Sequence, residues 1–390
     1  MLPVKNEKVK ARRITEFPQH CFFGYYDVAA FSQDGRYHLC HRVSFWDRIL
    51  EAGETAEIGM IELATKEFIP LTGTEAWNFQ QGSMLQWHPR FPNEKVIYNA
   101  MGEEGPYGVI QDIQSGNKTM LERPVANVDP KGRYALSISF ERMFDFRPGY
   151  GYAGVPDKFF GYNAPEEDGI FLIDLDAGKA KLVLSLADIY EITRQSLPYP
   201  DAKLLINHIT FNTDGSRFVF LARTFPEEGG TWKTATVTAN WDGSEPYVLR
   251  GYDMASHYHW RDPNKLLIYA NGSQGHQLYI LKDKSQDYEI LDKEFFVEDG
   301  HCSYSPDRNW LLYDSAPDKE SYRHLYLYNL AQRKGVRLAS YFSHPHIAGD
   351  FRCDLHPRWS GKGDMISFDS IHEGQRHIYL IHMEECMDLF

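Results

Sequence analysis

The sequence has few of the features that mark membrane, nucleic-acid-binding or disulfide-rich proteins. No run approaches ~18 apolar residues, so we expect no membrane span, and the first residues lack the apolar core of a secretory signal. Lys and Arg number 41 against 54 Asp and Glu, a net charge of −13, which disfavours binding to nucleic acid. The five cysteines are odd in number and show no CxxC spacing. Free thiols and a reducing, cytoplasmic location are therefore expected.

Helical periodicity is also nearly absent, and a sevenfold repeat takes its place. An apolar, usually aromatic residue precedes a few polar turn residues and then a β-rich run, as in FSQDGRYHLC and FNTDGSRFVFLA. The first residues of the seven copies are Phe31, Trp87, Val128, Phe211, Trp260, Tyr304 and Trp359. A second phrase, an alternating apolar strand, follows each copy, as in GIFLIDLDAG and HLYLYNLAQRKG. Each repeat thus holds at least two strands joined by a hairpin.

Short, evenly spaced strands in repeats of ~40–50 residues are typical of a β-propeller. The sequence therefore predicts an all-β, seven-bladed β-propeller that forms a single domain over residues 1–390. One stretch, residues 184–195, has helical character. The longest insertion, at about 141–169, is rich in Gly, Pro and aromatic residues and predicts an ordered, functional loop over one face.

The ends of the chain predict how the propeller closes. The last repeat ends at His377–Met383 and lacks an outermost strand, whereas a segment around Val9–Phe17 precedes the first repeat. We expect this N-terminal segment to pair with the last blade, which would remove an open sheet edge.

Four histidines share one position in the repeat, three residues before the aromatic position. They are His208, His257, His301 and His356. The first strand of a propeller blade is the innermost one, so four imidazoles are expected to converge near one mouth of the channel. Imidazole is a common metal ligand and general acid or base. The alternative is that each histidine only forms a hydrogen bond inside its own blade.

Arginines and other polar residues lie close to these histidines in the sequence. Arg352 and Arg358 flank His356, and Arg223 follows the second strand of the fourth repeat. In the first two repeats, Tyr26, Gln81 and Asn99 are candidates for substrate binding. Two weaker candidates are His20, as a catalytic residue, and the pair His344 and His346, as metal ligands.

Several segments resemble the oligogalacturonate lyase family and its propeller relatives, among them ulvan lyases and enzymes acting on rhamnose–glucuronate linkages. These segments are FFGYYD (22–27), WNFQQGSMLQW (77–87), DGHCSYSPD (299–307), RCDLHPRWS (352–360) and FDSIHEGQRHIYLI (368–381). The resemblance spans nearly the whole chain and identifies the superfamily better than any one activity.

The resemblance implies a divalent metal, typically manganese, held by three His and a Gln. It also implies that His257 is the catalytic histidine, that Arg223 is the catalytic arginine, and that His301 and His356 are two metal ligands. Cys353 stands at the Gln position and Arg358 at that of the last His. A guanidinium at the latter position can neutralise a substrate carboxylate without a metal.

The leading hypothesis is a lyase that cleaves uronic-acid-containing oligosaccharides by β-elimination. His257 would be the base, and Arg223, Arg352 and Arg358 would bind the carboxylate of the acidic oligosaccharide. The other three histidines of the repeat position, His208, His301 and His356, would shape the site, bind a metal or supply the acid. Two alternatives stay open: a glycoside hydrolase on the same scaffold, in which His20 is the residue to test, and a non-catalytic propeller that binds glycans or other partners. A monomer or weak oligomer is expected.

Overall fold

The computed structural model describes residues 2–16, 18–226 and 230–390, and these residues form a seven-bladed β-propeller, as the repeats predict. Within them, 29 short strands make up seven sheets. In chain order the strands are β1 (Val4–Lys5), β2 (Arg12–Arg13), β3 (His20–Phe22), β4 (Tyr37–Val43), β5 (Ala56–Glu62), β6 (Phe68–Thr74), β7 (Gln86–His88), β8 (Phe91–Gly102), β9 (Gly105–Asp112), β10 (Lys118–Met120), β11 (Asn127–Val128), β12 (Tyr134–Ser137), β13 (Gly169–Asp174), β14 (Lys179–Ser185), β15 (Leu204–Phe211), β16 (Arg217–Thr224), β17 (Thr234–Asn240), β18 (Tyr247–Asp253), β19 (Ala255–Asp262), β20 (Lys265–Gly272), β21 (Gly275–Lys282), β22 (Tyr288–Ile290), β23 (Cys302–Tyr304), β24 (Trp310–Asp314), β25 (Tyr322–Asn329), β26 (Lys334–Phe342), β27 (Arg358–Trp359), β28 (Met365–Ser370) and β29 (His377–His382).

Each sheet contains consecutive strands of one repeat, in the orders β3-β4-β5-β6, β7-β8-β9-β10, β11-β12-β13-β14, β15-β16-β17-β18 and β19-β20-β21-β22, with β23 to β26 and β27 to β29 forming the last two. The chain divides into two compact units. The first unit comprises Met1–Asn99, Gln111–Asn117 and Glu298–Phe390, and the second comprises Ala100–Ile110 and Lys118–Val297. The first unit has a core that includes Leu325, Leu327 and Phe368, and the second has one that includes Val219, Tyr258 and Ile268.

The repeated aromatic position connects neighbouring sheets. Trp87 donates its indole N–H to the backbone oxygen of Ala30 at 3.1 Å. Trp260 and Trp359 do the same to Thr210 and Ser303, both at 3.2 Å. Each acceptor lies one residue before the aromatic position of the preceding repeat. A buried indole N–H needs an acceptor, so this recurring bond explains why the repeat favours tryptophan there.

The turn in the repeated phrase requires a special backbone. Glycines with positive φ occupy it in several repeats, namely Gly35 (78°), Gly132 (62°), Gly215 (75°) and Gly363 (73°). Glycine adopts this conformation without a steric penalty, and the turn then returns the chain directly into the second strand of the blade.

The N-terminal segment closes the seventh sheet, which confirms the sequence prediction. Strand β2 pairs with β29, with Arg12 opposite Leu380, so the sheet has the order β2-β29-β28-β27. Phe17, at the end of the predicted segment, lies outside the described residues. Strand β1 adds a feature that the sequence did not predict, because it pairs with β26 and gives the sixth sheet a fifth strand.

Helices are few. The predicted helical stretch contains α2 (Leu186–Thr193), which begins with a capping box between Ser185 and Asp188. A second helix, α1 (Phe140–Phe146), lies at the start of the insertion predicted as a loop and is capped by Ser139. The described part of the chain also contains three 3₁₀ segments: Arg194–Ser196, Gly349–Phe351 and Met383–Leu389. No helix among the described residues is both long and apolar enough to span a membrane.

The long insertion is ordered around one buried arginine of α1. Arg142 is 1 % exposed. Its guanidinium donates to Asp157 at 2.8 Å and to the backbone oxygens of Phe159 and Tyr162 at 3.1 and 2.8 Å. It also donates to Leu204 O of β15 at 2.7 Å. One side chain thus binds backbone carbonyls from several parts of the loop and connects them to β15.

Candidate functional site

Two of the four histidines at the repeat position have a left-handed backbone. His208 and His356 have φ of 56° and 41°, and Met84, which occupies the same position in the second repeat, has 55°. At His208 this conformation coincides with a register shift in the pairing of β15 with β16. A left-handed residue interrupts the ladder, and His tolerates this region better than most side chains.

Two of the four histidines meet in the first unit. The Nε2 atoms of His301 and His356 lie 3.1 Å apart, and both residues are at most 5 % exposed. The expected convergence is therefore observed for this pair. Burial, followed by the neighbouring His301, lowers the pKa of His356 well below its usual range, so this imidazole is neutral and able to act as a ligand.

A fully buried carboxylate orients both histidines. Asp314, at the end of β24, accepts a hydrogen bond from His301 Nδ1 at 2.9 Å. It also accepts the backbone N–H groups of His301 at 2.8 Å and His356 at 3.1 Å. Because Nδ1 of His301 carries the proton that Asp314 accepts, Nε2 presents a lone pair, the arrangement found in metal-binding histidines.

Asp354 supplies a third possible ligand beside the pair. Its Oδ2 lies 3.8 Å from His356 Nε2, and one ligand atom from each of His301, Asp354 and His356 falls within 4.8 Å of the others. Asp354 pairs with Arg323 at 2.7 Å and Arg352 at 2.8 Å. Burial alone would raise the pKa of Asp354, but these two guanidinium groups outweigh burial and hold the pKa well below its usual range.

The donor set fits a divalent cation. It offers two imidazole nitrogens and a carboxylate, and the buried Oδ2 of Asp354 has an ion-pair contact with Arg352 Nε but no well-aligned hydrogen bond. Three protein ligands leave positions for water or substrate. The residues give no reason to prefer manganese over another metal that accepts nitrogen and oxygen ligands.

Aromatic side chains cover the histidine pair. The ring of Tyr26, a predicted substrate-binding residue, lies 5.1 Å from that of His301, and the ring of Tyr25 lies 5.0 Å from that of His356. Both tyrosines are buried. The structure therefore places Tyr26 beside the histidine pair, and its role in substrate binding stays a prediction.

The two residues that stand at changed family positions lie in different surroundings. Arg358 is 1 % exposed and pairs with the buried Asp369 at 2.9 Å, and burial lowers its pKa. Cys353 packs in an apolar cluster with Ile347 and Ile371, where burial raises the pKa of its thiol to about 11. A protonated thiol in an apolar cluster is a poor metal ligand, and the burial of Arg358 favours a positioning role.

Two other predicted substrate-binding residues of the first unit lie close to β7 in the chain, Gln81 in the turn before it and Asn99 on β8. Gln81 is partly buried, and its backbone N–H donates to Asn78 Oδ1 at 2.7 Å. Asn99 is fully buried, and its carbonyl accepts from the hydroxyl of Thr74 at 2.7 Å. Their roles in binding stay predictions.

His20, the candidate for hydrolase chemistry, belongs to a different group of the first unit. Its ring stacks on Trp46 at 5.6 Å. His344 and His346 also contact Trp46, at 6.4 and 6.3 Å. The weaker histidine candidates therefore surround one indole, apart from the pair formed by His301 and His356.

The predicted catalytic residues His257, Arg223 and His208 lie in the second unit, on β19, β16 and β15. His257 is partly exposed, with Nδ1 at 3.3 Å from Ser256 Oγ. Arg223 is 4 % exposed, and its guanidinium lies 5.7 Å from the centre of the Trp232 ring. The ring of His208 meets that of Tyr150 at 5.5 Å.

The insertion adds residues to this part of the second unit that the sequence analysis missed. Arg147, just after α1, lies over Trp232 at 5.2 Å and over Tyr150 at 4.5 Å. Trp232 thus has two guanidinium groups over it, those of Arg147 and Arg223. No sequence signal linked Arg147 to Arg223, because contacts between an insertion and a distant strand are not periodic.

Asp314 was also missed, although the sequence did contain a signal. It stands in LLYDS, and Asp369 stands in ISFDS at the same position of the next repeat. Asp369 likewise accepts backbone N–H groups at the start of another blade, from Phe23 at 3.3 Å and Gly24 at 3.4 Å. An Asp that ends the second strand in consecutive repeats predicts this bridging role.

Comparisons with known proteins support the fold. No family model matches the chain, and no curated protein matches it. An oligogalacturonate lyase in complex with manganese has a TM-score of 0.69 and 15 % identity, covering 98 % of this chain and 96 % of that one. The oligogalacturonate lyase of Vibrio parahaemolyticus has a TM-score of 0.67 and 14 % identity, with coverages of 98 % and 95 %.

Proteins other than oligogalacturonate lyases share the propeller fold. The β-propeller domain of the Trilobed protease from Pyrococcus furiosus has a TM-score of 0.52 and 10 % identity, covering 92 % of this chain and 96 % of that one. At such identities the likeness establishes the fold alone. The resemblance inferred from the sequence is confirmed at that level.

Proposed function

We propose that the protein is a carbohydrate-active lyase that cleaves uronic-acid-containing oligosaccharides by β-elimination. The observation that carries the proposal is the pair His301 and His356, with Nε2 atoms 3.1 Å apart and oriented by Asp314. A cation held there would neutralise a substrate carboxylate. The shared fold with oligogalacturonate lyases supports this function without establishing it.

The reaction requires three contributions. A base removes the C5 proton, the electron pair of that C–H bond forms the C4–C5 double bond, and the C4–O4 bond breaks as an acid protonates the departing oxygen. Negative charge accumulates on the carboxylate during proton removal, so its stabilisation is the largest contribution. In this proposal His257 takes the proton, His208 is the candidate acid, and Arg223 binds the carboxylate.

The metal has a defined set of ligands in the proposal. His301, His356 and Asp354 would hold it, and Asp314 would keep His301 in the required tautomer. The metal would supply positive charge for the carboxylate. Arg352 and Arg323 both pair with Asp354 and would hold the carboxylate of Asp354 in place.

The test of the reaction is incubation with a panel of uronate oligosaccharides, followed by the absorbance of the unsaturated product. We expect His257→Ala to lower the rate about 10²–10⁴-fold, whereas the exposed His276→Ala is a matched control that keeps it. If no uronate yields an unsaturated product, the proposal is refuted. Sugar release without that product would instead favour the glycoside hydrolase.

The test of the metal has a readout that does not depend on activity. Elemental analysis of purified protein should find one divalent metal per chain, and His301→Ala should lose it while retaining its β-sheet circular dichroism. Metal content that is unchanged in His301→Ala would contradict the ligand set.

A further inference from the structure

The second unit contains a cavity that the proposed reaction does not use. It has a volume of 460 Å³ and lies between the β8–β9 hairpin, the segment before β11 and the insertion. This volume is within the range of small-molecule binding sites. None of the residues proposed for catalysis or metal binding lines it.

One buried donor on the cavity wall lacks a hydrogen-bond partner, and a carboxylate on the same wall uses only one of its two oxygens. Asp168 is 3 % exposed, and its Oδ1 accepts the N–H of Gly169 at 2.8 Å. Its Oδ2 accepts no hydrogen bond from the described residues. Arg123 is a donor rather than an acceptor, and its buried Nε has no hydrogen-bond partner. The guanidinium of Arg123 lies 3.7 Å from the centre of the Phe171 ring. Leaving a buried donor unpaired is costly, so Nε of Arg123, on the same wall as a carboxylate whose Oδ2 accepts no hydrogen bond, indicates a missing ligand.

The charge of the wall restricts the ligand. Seven carboxylates and two cations line the cavity. Two of the carboxylates have cationic partners, since Asp157 pairs with Arg142 at 2.8 Å and Glu122 with Lys179 at 2.5 Å. The remaining excess is negative, and it would repel a uronate or any other anion.

The unpaired groups restrict the ligand further. A carboxylate ligand only accepts hydrogen bonds and so cannot donate to Asp168. An ammonium only donates and so cannot accept from Arg123. A hydroxyl group does both. Tyr107 and Phe159 add aromatic faces against which the C–H groups of a sugar ring can pack.

We infer that this cavity binds an uncharged, hydroxyl-rich ligand, a neutral sugar residue, with Asp168 accepting from one hydroxyl and Arg123 donating to another. The site is separate from the uronate chemistry and would select a neutral sugar where the lyase site selects an acidic one.

The test is isothermal titration of the full chain with neutral monosaccharides: rhamnose, galactose, glucose and xylose. Galacturonate and glucosamine are the charged comparisons. We expect saturable binding of at least one neutral sugar. Affinity should fall about tenfold in Asp168→Asn, because a hydrogen bond to a charged acceptor is lost. It should also fall in Phe159→Ala, which removes an apolar wall.

The matched control is Asp201→Asn, the same chemical change at an exposed position of the second unit that does not line the cavity. It should bind like the unmodified chain, and so should His257→Ala, which separates this site from the lyase reaction. Absence of binding by every neutral sugar would overturn the inference and leave a cavity that holds only water. Equal affinity in Asp168→Asn, or tighter binding of galacturonate or glucosamine, would overturn it as well.

Discussion

Asp168 makes the stability of the protein depend on pH in a direction opposite to that of most carboxyl groups. No cation of the described residues lies within ion-pair distance of it, and burial raises its pKa from 3.8 to about 6. A carboxyl group whose pKa is raised on folding stabilises the folded state fully below its unfolded pKa. That contribution is lost as the pH rises through the folded pKa. Replacement by Asn removes the ionisation and retains an acceptor for Gly169.

The magnitude follows from the shift. A rise of about two units in the pKa of Asp168 corresponds to a loss of about 3 kcal/mol in the free energy of unfolding at pH 7. This is an upper limit for a group that borders a cavity. We therefore expect Asp168→Asn to match the unmodified chain at pH 4. Its free energy of unfolding should exceed that of the unmodified chain by about 1–3 kcal/mol at pH 7, with the change occurring between pH 4 and pH 6.

Urea unfolding followed by tryptophan fluorescence at several values between pH 4 and pH 8 measures this difference. Asp201→Asn, exposed in the same unit, is the control and should show no pH-dependent difference. The stability difference between Asp168→Asn and the unmodified chain should grow from pH 4 to pH 7. A difference that is the same at every pH, or one that shifts in favour of the unmodified chain as the pH rises, would refute the raised pKa of Asp168.

Three other predictions concern the first unit. Deletion of residues 1–17 removes β1, β2 and the buried side chains of Val9 and Ile14, which should cost about 3–6 kcal/mol; a deletion variant that melts with the full chain would refute the closure. Asp314→Ala leaves a buried imidazole and two backbone N–H groups unpaired, so it should lower the free energy of unfolding by about 3–5 kcal/mol in urea. It should also weaken metal binding about 10–100-fold in a metal titration, and normal metal affinity would exclude a positioning role for Asp314. The five cysteines are buried and free, and burial raises the pKa of Cys353 to about 11. A thiol reagent should therefore label the chain only after unfolding, and fast labelling of the folded protein would contradict this.

The fold was largely predictable because its signals are local. Apolar alternation and a polar turn recur in each of the seven repeats, and each repeat folds into one sheet. The missing strand of the last repeat predicted the pairing of β2 with β29. The helix α1 was not predicted, since its seven residues are too few for a clear helical period and its start depends on the cap by Ser139.

The candidate site was predictable only in part. The shared repeat position identified His301 and His356 before any coordinates, because equivalent positions in consecutive blades lie side by side. The same reasoning did not distinguish an accessible arginine from a buried one. Arg358 has the chemistry of a carboxylate-binding residue, yet it is 1 % exposed and neutralises Asp369.

The sequence alone determined the seven-bladed propeller, its closure and the register of the histidines, because turn chemistry and strand periodicity act between residues close in the chain. Tertiary structure alone decided that Asp314 orients two imidazoles, that Cys353 packs among apolar side chains, and that Asp168 and Arg123 face one cavity. These relations join segments tens of residues apart. Their distances and burial depend on how the sheets and the insertion pack, which no local pattern encodes.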